Sequence, residues 1–168
     1  MRVVVVVGNP NRGGRTTRVA ERVANLVASV GEGTVETIEL IDIASDLFSW
    51  TSPVVGELTA RVHSADAAVF ASPTYKAGMT GLLKSFLDRY GTNGLAGLVA
   101  VPVMLGGAWD HALAVESSMR PVLVELAAIV PTKGVYVVDS ELDALDDQLA
   151  AWWALAEAPI RALLAGPR

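Results

Sequence analysis

Five consecutive valines, residues 3–7, form an uninterrupted β-branched run near the start of the chain. Such a run is typical of a strand that is buried on both faces, as the strands of a helix-covered parallel sheet are. The following stretch, residues 16–30, has apolar residues at helical spacing and stops at Gly31, which predicts a helix. A buried strand followed at once by a helix indicates the βα repeat of a parallel sheet.

The same alternation continues to the end of the chain. Further strands are predicted at residues 34–40, 67–71, 98–105 and 134–138, the first of them at an edge of the sheet. Further helices are predicted at residues 53–63, 79–90 and 109–128, and a last one opens at Ser140 and Asp143 and is ended or kinked by Pro159. Pro102 within the fourth strand indicates a local irregularity. We therefore predict an α/β three-layer sandwich around a five-stranded parallel sheet, in a single domain that spans residues 1–168.

Composition excludes several classes of function. The net charge is −5 and the chain has no cysteine, so we expect neither nucleic-acid nor anionic-membrane binding, nor thiolate chemistry, nor a zinc ribbon. No apolar stretch approaches the ~20 residues of a membrane span, and we expect a cytoplasmic protein. The acidic stretch 139–147 lacks the spacing of a calcium loop, so we expect no metal site. A hydrophobic content of 52% indicates self-association.

The loop after the first strand, GNPNRGGRTT, carries the features of an anion site. Its glycines allow close backbone approach, and its threonines stand where the helix begins. The free amides of that helix start favour an anion, and Arg12 and Arg15 add charge-assisted donors. It matches neither the Walker A nor the GxGxxG pattern. An ordinary helix cap with two solvated arginines remains the alternative.

Two more loops follow strands at the same edge of the predicted sheet. SPTYKAG, residues 72–78, carries Tyr75, which could stack on a planar ligand, and Lys76, which could pair with an anion. The alternative is that Tyr75 packs under the loop and Lys76 is solvated. Gly106 and Gly107 follow the fourth strand and could offer backbone amides to a carbonyl or an anionic ring. No serine, histidine or carboxylate pattern predicts a catalytic nucleophile, acid or base, so a cofactor is expected to carry the chemistry.

These three loops carry a resemblance to a known family. VVGNPNRGGRTTRV, ASPTYKAGMTGLLKSFLD and LGGAWDHALAVESSMRPVLVELAAIVPTKGVYV resemble the NAD(P)H-dependent FMN reductases of flavodoxin-like fold. They are most similar to the reductases that supply reduced flavin to two-component alkanesulfonate monooxygenases. The most specific part is the pattern S-P-x-Y-x-x-x-x-x-G-x-L-K, which begins at Ser72.

The resemblance implies strand order 2-1-3-4-5, with FMN and NAD(P)H as cofactors and a homodimer or homotetramer as the assembly. It implies that the first loop binds the phosphate of FMN, the second clamps the isoalloxazine and the third lies near the pyrimidine end. The residues so implied are Asn9, Arg12, Arg15, Thr16 and Thr17, then Pro73, Thr74, Tyr75 and Lys76, then Gly106 and Gly107.

One position departs from the sulfonate-pathway reductases. Where their fourth helix can carry an inserted aromatic residue linked to flavin release, this chain reads AVESSMRPV, with Ser117 or Ser118 at that position. The resemblance therefore leaves two modes open, FMN as a released product and FMN as a retained group. A retained-FMN reductase of quinones, azo dyes or nitroaromatics and a flavodoxin-like electron carrier are the remaining alternatives.

Overall fold

The five strands of the protein form one parallel sheet. The computed structural model describes residues 1–166, and within them the strand order is β2-β1-β3-β4-β5. The strands are β1 (Arg2–Val7), β2 (Thr34–Glu39), β3 (Ala67–Pro73), β4 (Val99–Gly106) and β5 (Val135–Val138). The helices are α1 (Arg15–Ala28), α2 (Pro53–His63), α3 (Gly81–Leu87), α4 (Arg120–Glu125) and α5 (Leu145–Leu164). The predicted α/β class and strand order are confirmed.

Strand β1 shows how the sheet separates two cores. Val4 and Val6 point into the core beneath α2, α3 and α4, whereas Val3, Val5 and Val7 point into the core beneath α1 and α5. All five valines are completely buried. Each contributes roughly 1.5–3 kcal/mol by leaving water, so a charged residue anywhere in this run would destabilise one core or the other. Strand β2 is only partly covered, as predicted for an edge strand.

The predicted long helix over residues 109–128 is wrong, because the segment is broken into three pieces. A short 3₁₀ turn, Trp109–His111, is followed by a π-helical segment, Val115–Met119, and then by α4. Pro121 explains the break: it has no N–H to donate to the carbonyl of Ser117, and its ring would collide with that carbonyl in an α-helix. The hydroxyls of Ser117 and Ser118 donate to the carbonyls of Leu113 and Ala114, at 2.9 and 2.6 Å.

Both remaining prolines of interest are accommodated without a break. Helix α5 continues past Pro159 to Leu164, so of the two predicted outcomes, an end or a kink, the end is wrong. Pro102 lies in register within β4, opposite Phe70 of β3, and does not interrupt the strand. Strand β5 pairs with β4 only from Val103 onward, so no ladder on that side requires an N–H from residue 102. Within residues 1–166, no helix has the length and apolarity that a membrane crossing requires.

Candidate FMN site

A cleft of about 300 Å³ opens at the carboxyl ends of the strands. Four segments meet there: the loop after β1, the end of β3, the end of β4 and the residue after β5. This is the edge at which open parallel sheets bind ligands. The residues that line the cleft are Asn9, Asn11, Gly14, Arg15, Thr16, Pro73, Tyr75, Leu105 and Asp139.

The loop after β1 leaves the start of α1 open. Gly13 has a φ of +63°, a left-handed conformation that glycine adopts without strain, and it turns the chain into the helix. Gly14 then occupies the N-cap position, with no side chain capping the helix. The first intrahelical hydrogen bond runs from the amide of Arg18 to the carbonyl of Gly14, at 3.2 Å. The amides of Arg15, Thr16 and Thr17 therefore have no intrahelical acceptor and are free to bind an anion.

Two buried side chains hold this loop in shape. The Asn9 carboxamide accepts from the amide of Asn11 at 2.9 Å and donates to the hydroxyl of Thr16 at 3.1 Å. Asn9 and Thr16 are 6% and 2% exposed. Because both residues line the cleft and are already tied to each other, the loop is organised before any ligand binds.

Thr17 faces a different partner. Its hydroxyl donates to Glu39 Oε1 at 2.8 Å, and the amide of Gly13 donates to the same oxygen at 3.0 Å. The single hydroxyl proton of Thr17 is thus directed to Glu39, at the end of β2. In this arrangement Thr17 contributes its backbone amide to the helix start, while its side chain fixes the loop from behind. Sequence reasoning missed Glu39, which lies 22 residues away from Thr17.

The two arginines of the loop differ in position. Arg15 lines the cleft and pairs with Asp139 at 3.3 Å. Arg12 does not line it: its guanidinium pairs with Asp42 at 3.3 Å, and its side chain is 71% exposed. An exposed pair of this kind stabilises the protein by only about 0–1 kcal/mol, so a ligand could still recruit Arg12. The structure nevertheless brings Arg15 alone of the two to the cleft.

The loop after β3 forms a tight hairpin turn on the opposite side of the cleft. The backbones of Tyr75 and Gly78 exchange two hydrogen bonds, at 2.9 and 3.1 Å. Lys76 and Ala77 between them have φ values of +50° and +60°, which glycine or asparagine usually supplies in such a turn. The turn presents the half-exposed ring of Tyr75 to the cleft and directs Lys76 to solvent. Ser118 of the π-helical segment lies behind Gly78.

Thr74, one residue earlier, has a polar atom in need of a partner. Its amide donates to the carbonyl of Leu105 at 2.6 Å, which ties β3 to β4 beyond the sheet. Its hydroxyl oxygen is buried and lies near the Tyr136 hydroxyl, but the Tyr136 proton is directed to the carbonyl of Ala108, so no hydrogen bond of good geometry from a described residue satisfies Thr74. An unsatisfied buried hydroxyl is unusual in a folded protein and is common where a ligand completes the network.

Gly106, the last residue of β4, and Gly107, which follows it, differ in the space around them. A Cβ on Gly106 would lie 1.9 Å from the hydroxyl oxygen of Tyr136, so any other residue there would force the tyrosine to move. That hydroxyl donates to the carbonyl of Ala108 at 2.8 Å and so holds the loop. Burial raises the pKa of Tyr136, the nearby Thr74 hydroxyl lowers it and Asp139 raises it, with a net increase. Tyr136 is therefore neutral and able to donate at physiological pH. Gly107 is exposed, with open space where a Cβ would lie.

Of the eleven predicted residues, five line the cleft: Asn9, Arg15, Thr16, Pro73 and Tyr75. The other six surround it without lining it: Arg12, Thr17, Thr74, Lys76, Gly106 and Gly107. Four lining residues are not among these eleven, although Gly14 is one of the glycines expected to allow close backbone approach: Asn11, Gly14, Leu105 and Asp139. The first three are neighbours of predicted residues. Asp139 gave no such signal, because only the pairing of β5 with β4 brings it to this edge.

The site fits FMN. Free helix amides and one guanidinium suit a phosphate, Tyr75 suits a planar ring, and the unsatisfied Thr74 hydroxyl suits a polar atom on that ring. The two histidines contribute nothing here. His111 is exposed, and His63 lies against the carbonyl of Gly94 at 3.0 Å. No group of metal-ligating side chains exists among the described residues.

Comparison with known proteins identifies the family to which the chain is similar. The family model of the NADPH-dependent FMN reductases matches residues 1–143. An FMN reductase (NADPH) from Escherichia coli is 31% identical over 146 residues, which cover 84% of this chain and 75% of the relative.

Two solved structures extend the likeness to the fold. The apo form of an NADH:FMN oxidoreductase (EMOB) superposes with a TM-score of 0.88 at 28% identity, over 99% of this chain and 91% of that one. A flavodoxin, WrbA-like protein from Agrobacterium tumefaciens shares the fold, with a TM-score of 0.61 at 17% identity over 94% of this chain and 96% of that one. The predicted flavodoxin-like fold is confirmed, and the chain belongs to the NADPH-dependent FMN reductase family of oxidoreductases.

Proposed function

We propose that this protein binds FMN in the cleft at the start of α1 and reduces it with NAD(P)H, releasing reduced flavin to an acceptor. The reaction is the one that defines the family. The observation that carries the proposal is the uncapped helix start, where three free amides, Arg15 and the Asn9–Thr16 pair converge on one cleft.

The phosphate of FMN would be bound mainly by backbone. The amides of Arg15, Thr16 and Thr17 point along the helix axis, at the end where the dipole is positive. Arg15 adds a charge-assisted donor from the rim. Arg12 lies farther away and would contribute a weaker, screened attraction, because its side chain is mostly solvated.

The ring would lie between the Tyr75 turn and the loop after β4. Bound FMN supplies the hydride acceptor, and the nicotinamide supplies the hydride. The residues of the chain position the two rings and stabilise negative charge. Tyr75 offers a stacking surface, Thr74 a hydroxyl, and Gly107 an exposed backbone close to the pyrimidine end. No side chain needs to act as acid or base, since solvent can supply the proton.

Release of reduced flavin is favoured by the openness of the residues involved. Arg15 and Tyr75, which both line the cleft, are more than half exposed. A flavin-dependent monooxygenase is the proposed acceptor. A cytoplasmic location belongs to the same proposal, because NAD(P)H is supplied there, and so does a homodimer or homotetramer.

The test is NADH or NADPH oxidation by purified, desalted protein, with and without added FMN. We expect little flavin to be retained, and a rate that rises with free FMN until it saturates. Turnover of a quinone by retained flavin, with no response to free FMN, would instead identify a retained-FMN reductase. If the protein oxidised neither NADH nor NADPH with any acceptor, the result would favour the alternative of a flavodoxin-like electron carrier.

A further inference from the structure

The ion pair between Arg15 and Asp139 forms part of the lining of the cleft. Arg15 is the first residue of α1, and Asp139 directly follows β5, so the pair joins two elements that no other described ion pair connects at this edge. Its guanidinium nitrogen and carboxylate oxygen are 3.3 Å apart, with side-chain exposures of 59% and 33%. Sequence reasoning assigned Arg15 to phosphate and gave Asp139 no role.

Among the described residues that line the cleft, these two are the only charged ones. The other lining residues are neutral. The cation expected to attract the phosphate is therefore matched by an anion on the same wall. A phosphate dianion that approaches the start of α1 has to compete with the Asp139 carboxylate for the Arg15 guanidinium.

We propose that Asp139 is a specificity-determining residue that withholds Arg15 from the flavin phosphate, lowers the affinity for FMN and so keeps FMN exchangeable. The inference rests on the proposed function, since it assumes that the cleft binds FMN. When a phosphate binds here, Arg15 exchanges its contact with Asp139 for a contact with the phosphate. The net gain in binding free energy is therefore smaller than an unpaired Arg15 would provide. The remaining carboxylate also repels the bound phosphate through space.

This role distinguishes phosphorylated from unphosphorylated flavin. Riboflavin carries the same ring and ribityl chain without the phosphate, so it does not compete for Arg15. Removing the charge of Asp139 should affect FMN binding and leave riboflavin binding unchanged. A residue that merely accepts a hydrogen bond from a ribityl hydroxyl would affect both flavins alike.

The experiment is a titration of wild type, Asp139→Asn, Arg15→Ala and the double variant with FMN and with riboflavin. Asp146→Asn is the matched control. Asp146 pairs with Arg22, which lies in α1 as Arg15 does, but this pair is outside the cleft. We expect Asp139→Asn to lower the Kd for FMN by about three- to tenfold and to change the Kd for riboflavin by less than about twofold. Asp146→Asn should change neither.

The double variant tests the mechanism. If Asp139 acts mainly by holding Arg15, then Asp139→Asn in the Arg15→Ala background should tighten FMN binding by less than about twofold, the part that through-space repulsion accounts for. The inference would be overturned if Asp139→Asn tightened FMN binding as much in the Arg15→Ala background as in the wild type. It would also be overturned if Asp139→Asn alone weakened the binding of FMN, or changed the affinities for FMN and riboflavin equally. Failure of the proposed function would look different, since wild type itself would then bind neither flavin.

Discussion

The two ends of the cleft are built in different ways. The phosphate end, residues 9–17, is one continuous segment in which the free amides, the Asn9–Thr16 pair and Arg15 are close in sequence. The ring end comprises the Thr74–Gly78 turn and the Gly106–Ala108 loop, and its shape depends on Tyr136 of β5. The phosphate end is thus built mainly from one local segment, which Glu39 of β2 holds from behind, whereas the ring end depends on residues from several strands. We expect substitutions at the phosphate end to change binding of FMN alone, and substitutions at the ring end to change folding or the binding of every flavin.

The largest expected effect is at the ring end, from Gly106→Ala. The new Cβ would lie 1.9 Å from the Tyr136 hydroxyl oxygen, so the tyrosine has to move and lose its bond to Ala108. We expect the free energy of unfolding to fall by roughly 2–3 kcal/mol, as measured by urea denaturation. Gly107→Ala is the control and should change it by less than about 0.5 kcal/mol, because its Cβ would meet nothing. Unchanged stability in Gly106→Ala would show that the ring end is not held by Tyr136.

At the phosphate end, Arg15→Ala should weaken FMN binding by about 1.5–3 kcal/mol, the range for a charge-assisted hydrogen bond. Riboflavin binding should be unaffected. Arg12→Ala and Arg22→Ala remove the same charge nearby, and we expect each to cost less than about 0.5 kcal/mol at physiological salt. Fluorescence titration gives all six affinities. Equal losses in the Arg12 and Arg15 variants would mean that general charge, and not the cleft, attracts the phosphate.

A smaller effect, shared by FMN and riboflavin, is expected from Thr74→Val. The buried, unsatisfied hydroxyl is removed at nearly constant shape, so the unliganded protein should become more stable by about 1 kcal/mol. FMN and riboflavin should both bind about three- to tenfold more weakly if that hydroxyl bonds to the ring. Thr74→Ser keeps the hydroxyl and should restore both affinities. A loss confined to FMN would place Thr74 at the phosphate end.

The smallest effect concerns the support behind the ring end. Burial acts to raise the pKa of Glu116, but the hydrogen bond from the Gly134 amide and the pairing with Arg120 outweigh it and lower the pKa. A carboxylate with a lowered pKa stabilises the fold above its unfolded pKa of about 4.3 and loses that contribution as the pH falls through the folded value. Glu116→Gln should cost about 1 kcal/mol at pH 7 and less below pH ~4. Thermal unfolding at both pH values measures this, and a pH-independent cost would contradict it.

The sequence was sufficient for features that depend on local pattern. The valine run predicts β1, and Gly31 lies shortly beyond the end of α1. The anion site in the ten residues after β1 rests on local pattern in the same way and stays a prediction. Features that depend on side chains from distant strands were missed. Asp139 reaches the cleft through the β4–β5 pairing, and Glu39 takes the Thr17 hydroxyl from the end of β2.

The broken helix over residues 109–128 is an intermediate case. Pro121 was visible in the sequence, but the apolar spacing on both sides of it favoured one continuous helix. A proline in the first turn of a helix is compatible with that helix. In the interior of a helix, proline removes the hydrogen bond to the carbonyl four residues earlier and disrupts the helix. Periodicity alone does not distinguish these two cases.

The most direct measurement is a calorimetric titration of the wild-type protein with FMN and with riboflavin. If the start of α1 and Arg15 bind the phosphate, FMN should bind at least about a hundredfold more tightly than riboflavin, the equivalent of about 2.7 kcal/mol. Equal affinities for the two flavins, or no binding of either, would contradict the assignment of this cleft.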